Sequence, residues 1–71
     1  MIEYSNSQIE HIIDEYIHSA RDRKLLKKRY IDGLTFEAIS EELQLSVRQT
    51  KTIVYKHEMT LFKHLEGDKT K

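Results

Sequence analysis

The stretch Gly33–His57, GLTFEAISEELQLSVRQTKTIVYKH, decides the fold that we predict for this chain. It is typical of two helices joined by a tight turn, because Thr35 and Ser46 each stand where a side-chain oxygen can accept a first-turn N–H. Ser46 and Gln49 form the S-x-x-Q pattern of a capping box, which marks the second start most clearly. A short helix, a tight turn and a longer helix with a basic outer face indicate a helix-turn-helix that reads DNA.

The spacing of apolar residues predicts which faces of these two helices are buried. In the first helix, positions one and two turns apart place Phe36, Ile39 and Leu43 in the core. In the second helix, the predicted inner positions are Thr50, Ile53, Val54, His57 and Leu61, and the predicted outer positions are Arg48, Gln49, Thr52 and Lys56. The outer face of the second helix is therefore the candidate contact surface.

The composition favours one small all-α domain over residues 1–71, built from four helices. The chain is 38% hydrophobic and 34% charged, has no proline, and lacks the alternating β-rich pattern that a sheet requires. It has no cysteine, which excludes disulfides and thiolate metal sites and suits a reducing cytoplasm. No apolar run approaches the roughly 18 residues of a membrane span, and no signal peptide is recognisable, so we expect a cytoplasmic protein.

Two further helices are expected before the quoted stretch. After a lead-in over residues 1–6, Ser7 and Glu10 form an S-x-x-E capping box for the first helix. Its amphipathic stripe consists of Ile9, Ile12, Ile13, Tyr16, Ile17 and Ala20. The second helix is expected to begin at a capping Asp22, and Gly33 is expected to end it in a left-handed conformation.

The second helix is predicted to run to about Ile31, with Leu25, Leu26 and Tyr30 buried and Arg23, Lys24, Lys27 and Lys28 exposed. The last helix is predicted to extend to about Leu65. Beyond it, residues 67–71 are expected to form a frayed tail.

Charge alternates along the chain, although the formal net charge is zero. Residues 1–20 carry −4, residues 21–30 carry +5, residues 31–45 carry −4 and residues 46–64 carry +3. A fold that places the two basic helices on one face would have a phosphate-binding side and an acidic back. The alternative is that these charges form ordinary solvated faces.

Within residues 23–57, the segment RKLLKKRYIDGLTFEAISEELQLSVRQTKTI resembles region four of bacterial sigma factors, the region that reads the upstream promoter element. The resemblance lies in a basic helix ending in R-Y-x-x-G, then L-T-x-x-x-I, then a Leu-x-Leu-Ser turn. It covers about half the chain, and regulators with the response-regulator type of helix-turn-helix share part of it. Gln44 replaces the usual small or glycine residue of the turn, and Thr50 replaces a usual hydrophobic residue.

The resemblance implies a free-standing sigma-like module of the kind found on phages and mobile elements. Seventy-one residues cannot hold the regions by which a sigma factor grips RNA polymerase and melts promoter DNA. Such a module could act as a transcription regulator on duplex DNA, or it could dock on RNA polymerase.

The pattern and the resemblance point to the same candidate residues. The base-contacting candidates are Arg48, Gln49, Lys51 and Thr52, since arginine suits guanine and glutamine suits adenine. The phosphate-contacting candidates are Arg23, Lys27, Lys28, Lys56 and Thr35, the last through a helix N-terminus. Tyr55 is ambiguous between the groove edge and helix packing.

No other motif indicates catalysis or a bound metal. His57-Glu58 begins like H-E-x-x-H, but Leu61 occupies the second ligand position, so we expect no metal, no cofactor and no enzyme activity, and a core or capping role for His57. Met59 and Phe62 are expected either to pack on the first helix or to form a homodimer surface.

The leading hypothesis is sequence-specific binding of duplex DNA by a small transcription regulator. The alternatives are a protein-interaction module that binds RNA polymerase or another protein without reading DNA, and an accessory protein of phage DNA packaging or recombination.

Overall fold

A computed structural model describes residues 4–69 of the chain and the side chains of residues 4–66. Four α-helices account for most of them: α1 Asn6–Tyr16, α2 Ala20–Tyr30, α3 Phe36–Leu43 and α4 Val47–Lys69. The residues described include no strand, so the predicted all-α class with four helices is confirmed. The last helix continues to Lys69, past the predicted end near Leu65, because no proline interrupts it and one glycine costs a helix only about 1 kcal/mol. Residues 70–71 of the predicted frayed tail lie outside the described part of the chain.

A single apolar cluster holds the four helices together. α4 is about 34 Å long at 1.5 Å per residue, and it packs against each of the other three helices. The buried members of the cluster are Ile12, Ile13, Ile17, Leu25, Leu26, Ile39, Ile53, Val54, Leu61 and Leu65. Burying side chains of this size contributes about 1.5–3 kcal/mol each, and α4 supplies Ile53, Val54, Leu61 and Leu65 to the cluster. Thr50 is also fully buried, and its hydroxyl donates to the Ser46 carbonyl at 3.0 Å.

The first helix begins two residues earlier than predicted. Its cap is Ser5, whose Oγ accepts the Gln8 N–H at 3.2 Å while Gln8 Oε1 accepts the Ser5 N–H at 2.9 Å. The Ser7-x-x-Glu10 box was therefore the wrong one of two overlapping matches. The earlier start places Tyr4 and Ile9 at the two positions of a hydrophobic staple, and both pack against the core.

The first helix ends at Tyr16, although the predicted apolar stripe continued to Ala20. Ile17 has extended backbone angles and remains buried, whereas Ala20 already belongs to α2 and is exposed. Ser19 caps α2 by accepting the Asp22 N–H at 3.3 Å. Asp22 is thus not the predicted cap but a buried residue in the first turn, where its carboxylate faces another helix.

The turns on either side of α3 agree with the predicted caps. α2 ends at Tyr30, Gly33 adopts a left-handed φ of +74°, and the Thr35 hydroxyl caps α3 by accepting the Ala38 N–H at 3.1 Å. Gln44 ends α3 with φ 57° and ψ 45°, the left-handed conformation that a glycine adopts without strain. Gln44, in place of the usual small or glycine residue, therefore keeps the geometry of a glycine turn, and its left-handed backbone is expected to reduce the stability by about 1 kcal/mol.

Among the helices of residues 4–69, none is both long enough and apolar enough to cross a membrane.

Candidate nucleic-acid interface

The outer face of α4 carries the four side chains predicted to contact bases. Arg48, Gln49, Lys51 and Thr52 are all exposed within the first two turns of the helix. Thr52 donates its hydroxyl to the Arg48 carbonyl at 2.9 Å, which leaves its oxygen lone pairs facing solvent. Side chains at this end of a helix lie where a major groove could receive them.

Gln49 also caps the start of α4, as the sequence pattern predicted. Its backbone N–H donates to Ser46 Oγ at 3.0 Å, and its side-chain Oε1 accepts the Ser46 N–H at 3.0 Å, which confirms the predicted capping box. The side-chain oxygen is therefore engaged at the helix start, while the two N–H donors of the amide remain available. In this rotamer Gln49 offers donors to a ligand; bidentate recognition of adenine would require the side chain to leave the cap.

One side of this face is bordered by an aromatic and basic cluster from α2, α3 and α4. The Phe36 ring lies edge-on to Tyr55, with centroids 6.2 Å apart, and Lys51 Nζ lies 5.7 Å from the Phe36 centroid. The Arg29 guanidinium stacks 4.2 Å from the same centroid and donates to the Leu34 carbonyl at 2.9 Å. These contacts bring the start of α3, with Thr35, beside Lys51.

The opposite side of the face is bordered by the first turn of α2. Arg21 lines a shallow cleft together with Arg48, Gln49, Thr52 and Ile53 of α4. The Arg21 side chain is 56% exposed, and its Nε and Nη2 both contact Asp22 Oδ1, at 3.2 Å and 3.1 Å. A second guanidinium thus lines the same cleft as Arg48, on a helix from which no contact with the outer face of α4 was predicted.

A hydrogen bond to a buried carboxylate connects this first turn of α2 to α4. Asp22 is 5% exposed, and its Oδ2 lies 2.8 Å from Nε2 of His57. Because a carboxylate can only accept, Nε2 carries the proton and donates it. Burial works to raise the pKa of Asp22, but hydrogen bonds from His57 and Arg21 outweigh it and hold that pKa below the ordinary value. The predicted core role of His57 thus has a polar partner.

The cations of α2 that were predicted to contact phosphate are engaged within the protein. Lys27 pairs with Asp14 at 2.8 Å and with Glu10 at 3.6 Å, and the Asp14 hydrogen bond raises the pKa of the lysine. Lys28 pairs with Glu42 at 2.6 Å. These contacts tie α2 to the acidic faces of α1 and α3, and they leave both lysines half-buried rather than exposed as predicted.

Arg23 is also occupied, at the break between α1 and α2. Its Nη1 donates to the carbonyls of Ile17 and His18, at 2.9 Å and 3.0 Å. This guanidinium satisfies backbone groups that the end of α1 leaves without a helical partner. Lys56, by contrast, is exposed on α4, on the same side of the molecule as the other outer residues of that helix.

Met59 and Phe62 do not pack on α1, which was one of the two expectations for them. Met59 is 81% exposed and Phe62 is 43% exposed, and Phe62 meets Tyr30 of α2 edge-on, with centroids 6.3 Å apart. Met59 and Phe62 point outward because they continue the outer face of α4 past Tyr55, which is 58% exposed. These three side chains form an apolar strip, defined here as Tyr55, Met59 and Phe62.

The sequence prediction included neither the position of Arg21 in the cleft beside Arg48 nor the hydrogen bond between Asp22 and His57. The S-x-x-D pattern of Ser19 and Asp22 resembles a helix start and would have placed Arg21 in a first turn. The pairing of Asp22 with His57 joins residues 35 positions apart, and no local pattern signals it.

Comparison of the chain with protein-family models, with curated proteins and with solved structures gives no match. Within residues 4–69, no group of three or more acidic or histidine side chains is arranged to hold a metal ion.

Proposed function

We propose that this protein binds duplex DNA sequence-specifically as a small sigma-like transcription regulator. In this proposal α3, its turn and α4 act as a helix-turn-helix, and the first two turns of α4 enter the major groove. The observation that carries the proposal is the exposed group Arg48, Gln49, Lys51 and Thr52 on one face of α4. Within the described side chains, Arg48, Lys51 and Lys56 form no ion pair, so their charge is available to a polyanion.

Each outer residue has a contact suited to its chemistry. Arg48 fits a guanine edge by donating to O6 and N7, a pairing worth about 1–3 kcal/mol of discrimination against other bases. The amide donors of Gln49 suit an acceptor on a neighbouring base, and the Thr52 oxygen, whose proton is donated to the Arg48 carbonyl, suits a base donor such as an exocyclic amino group. Lys51, held beside Phe36, lies toward the start of α3 and reaches either a base or a backbone phosphate.

Lys56 and Thr35 are the assigned phosphate contacts that stand exposed. Lys56 lies one to two turns beyond the base-contacting group, and Thr35 lies at the N-terminus of α3, whose amides favour an anion. Arg23, Lys27 and Lys28 would have to exchange internal partners to contact DNA. We therefore assign them mainly to holding the fold.

Sequence selection from a random duplex library tests this function. The wild type should enrich a defined site, and Arg48→Ala should weaken binding to that site by about 5-fold to 150-fold while relaxing the preference at one position. Lys24→Ala is the matched control, because Lys24 is an exposed cation on α2, away from the outer face of α4. Enrichment of no sequence by a folded wild type would contradict the proposal. Transcription from a promoter carrying the selected site distinguishes regulation from packaging or recombination.

The exposed apolar strip supports a second proposal, association of α4 with a second copy of the chain. An antiparallel pairing centred on Met59 would place Tyr55 of one copy opposite Lys63 of the other, a cation–π arrangement that occurs twice by symmetry. Sedimentation equilibrium should then show a dimer that Met59→Lys converts to a monomer. A wild-type monomer would contradict self-association, and capture of RNA polymerase through the same strip would favour the interaction-module alternative.

A further inference from the structure

We infer that the cleft between the first turn of α2 and the first two turns of α4 binds a backbone phosphate of duplex DNA, with Arg21 as its principal ligand. This inference rests on the proposed DNA-binding function and adds a contact from a helix outside the α3–α4 pair. It concerns a residue whose position only the tertiary structure reveals.

The cleft has the lining of an anion site. Its volume is about 280 Å³, and its walls are Arg21, Arg48, Gln49 and Thr52, with Ile53 as the apolar floor. Two guanidiniums line the cleft, and Gln49 lines it with its two amide N–H donors unengaged, since its Oε1 accepts the Ser46 N–H. A phosphodiester oxygen accepts hydrogen bonds from all three groups, and arginine matches its geometry with paired N–H donors.

Arg21 is held in place by one edge and is free at the other. Nε and one N–H of Nη2 face Asp22 Oδ1, so both N–H groups of Nη1 and the second of Nη2 remain available. Asp22 is fixed in turn by His57 of α4, at 2.8 Å. A guanidinium that is already oriented loses less conformational entropy on binding than a free arginine would.

The position of Arg21 favours the DNA backbone over a base edge. It borders α4 on the side opposite the Phe36, Arg29 and Lys51 cluster, so basic groups border the reading face on both sides. A helix lying in a major groove has base edges before it and a sugar–phosphate strand along each side. A bordering arginine on α2 therefore meets a phosphate, while Arg48 on the helix itself faces the bases.

Salt-dependent binding of a duplex measures this contact. Each phosphate contact contributes about 0.9 to the slope of log K against log salt concentration. Arg21→Ala should lower the slope by about one, whereas Lys24→Ala, an exposed cation on the same helix outside the cleft, should leave it unchanged. Arg21→Lys should retain most of the slope, because lysine still supplies a positive charge.

The double variant Arg21→Ala/Asp22→Asn separates phosphate binding from charge masking. If Arg21 only neutralised Asp22, removing both charges would restore the wild-type slope. We expect the slope to remain low by about one, with circular dichroism confirming that each variant is folded. Restoration of the slope by the double variant would overturn the inference.

Two further outcomes are decisive. An unchanged slope for Arg21→Ala, with Arg48→Ala/Lys51→Ala still losing binding, would overturn this inference and leave the proposed function standing. A wild type without salt-sensitive binding would overturn both.

NMR of the Arg21 Nε–H distinguishes the DNA backbone from free phosphate as the ligand of this cleft. We expect chemical-shift changes on addition of duplex at micromolar concentration and none on addition of inorganic phosphate at that concentration. Equal affinity for both would contradict a site built for the DNA backbone.

Discussion

The two basic helices of this protein, α2 and α4, use their charge in different ways. In α2, three of the basic side chains are engaged within the protein: Lys27 and Lys28 pair with carboxylates of α1 and α3, and Arg23 donates to backbone carbonyls. In α4, Arg48 and Lys56 are exposed, and neither forms an ion pair among the described side chains. Hence α2 has the larger charge in the sequence, but α4 has more of its charge available to a ligand.

This difference explains how a chain of zero net charge can present a basic surface. The acidic residues of α1 and α3 do not simply form an acidic side away from the basic helices, because Asp14 and Glu42 neutralise cations of α2. Among the described side chains, the outer face of α4 carries the cations Arg48, Lys51 and Lys56 without an ion pair, and Arg21 keeps one free guanidinium edge beside its pair with Asp22. Surface ion pairs of this kind contribute little stability singly, yet together they determine which cations a polyanion can reach.

The largest expected effect concerns the polar contact between the two helices. Asp22→Ala should reduce the free energy of unfolding by about 3 kcal/mol, because it leaves His57 without its buried acceptor and releases Arg21. Arg48→Ala, on the exposed face of α4, should change stability by less than about 0.5 kcal/mol. Urea denaturation of both variants measures the contrast. Equal destabilisation would show that the α4 face also serves the fold.

A second effect is expected in acid. The pKa of Asp22 lies below the ordinary aspartate value in the folded state, so its ionised form stabilises the fold above about pH 4, and that contribution is lost as the pH falls through the folded-state pKa. Asp22→Asn should therefore flatten the acid limb of the stability curve. Thermal melts between pH 2.5 and pH 6 would measure this, and an unchanged acid limb in the variant would show that other carboxylates cause the loss. These pH limits bracket the ordinary aspartate pKa of about 3.9.

The smallest expected effect separates two lysines. Lys27→Ala should lower the melting temperature slightly at low salt and less at high salt, because its ion pairs with Asp14 and Glu10 are screened. Lys56→Ala should leave the melting temperature unchanged at either salt concentration. A salt-dependent loss of equal size in both variants would remove the distinction between paired and available cations.

Local patterns predicted the helices that have strong caps. Thr35 and Ser46 begin α3 and α4 as their sequence context indicates, and Gly33 adopts the predicted left-handed angle. The first helix was less well defined, since Ser5 and Ser7 both begin a capping pattern and only the packing of Tyr4 and Ile9 favours the earlier one. Propensity and caps thus determine the ends of a helix only where a single candidate exists.

The candidate site was predictable on α4 and not beyond it. Helical periodicity alone places Arg48 and Thr52 on the side opposite the buried Val54, and the structure agrees. The positions of Arg21 and Arg29 relative to α4, and the pairing of Asp22 with His57, depend on how α2 packs against α4. Side-chain partners across helices depend on tertiary distance, which a one-dimensional pattern does not contain.

The central claim is that the available charge of α4, and not the larger charge of α2, binds DNA. It is tested most directly by salt-dependent fluorescence anisotropy on one duplex with the wild type and two variants of equal charge loss, Arg48→Ala/Lys51→Ala and Lys27→Ala/Lys28→Ala. We expect the α4 variant to lose affinity through both residues and to lower the salt slope by about one through Lys51, because Arg48 faces the bases, while the α2 variant keeps the wild-type affinity and slope. An α2 variant that loses as much of the slope as the α4 variant, or more, would contradict the account.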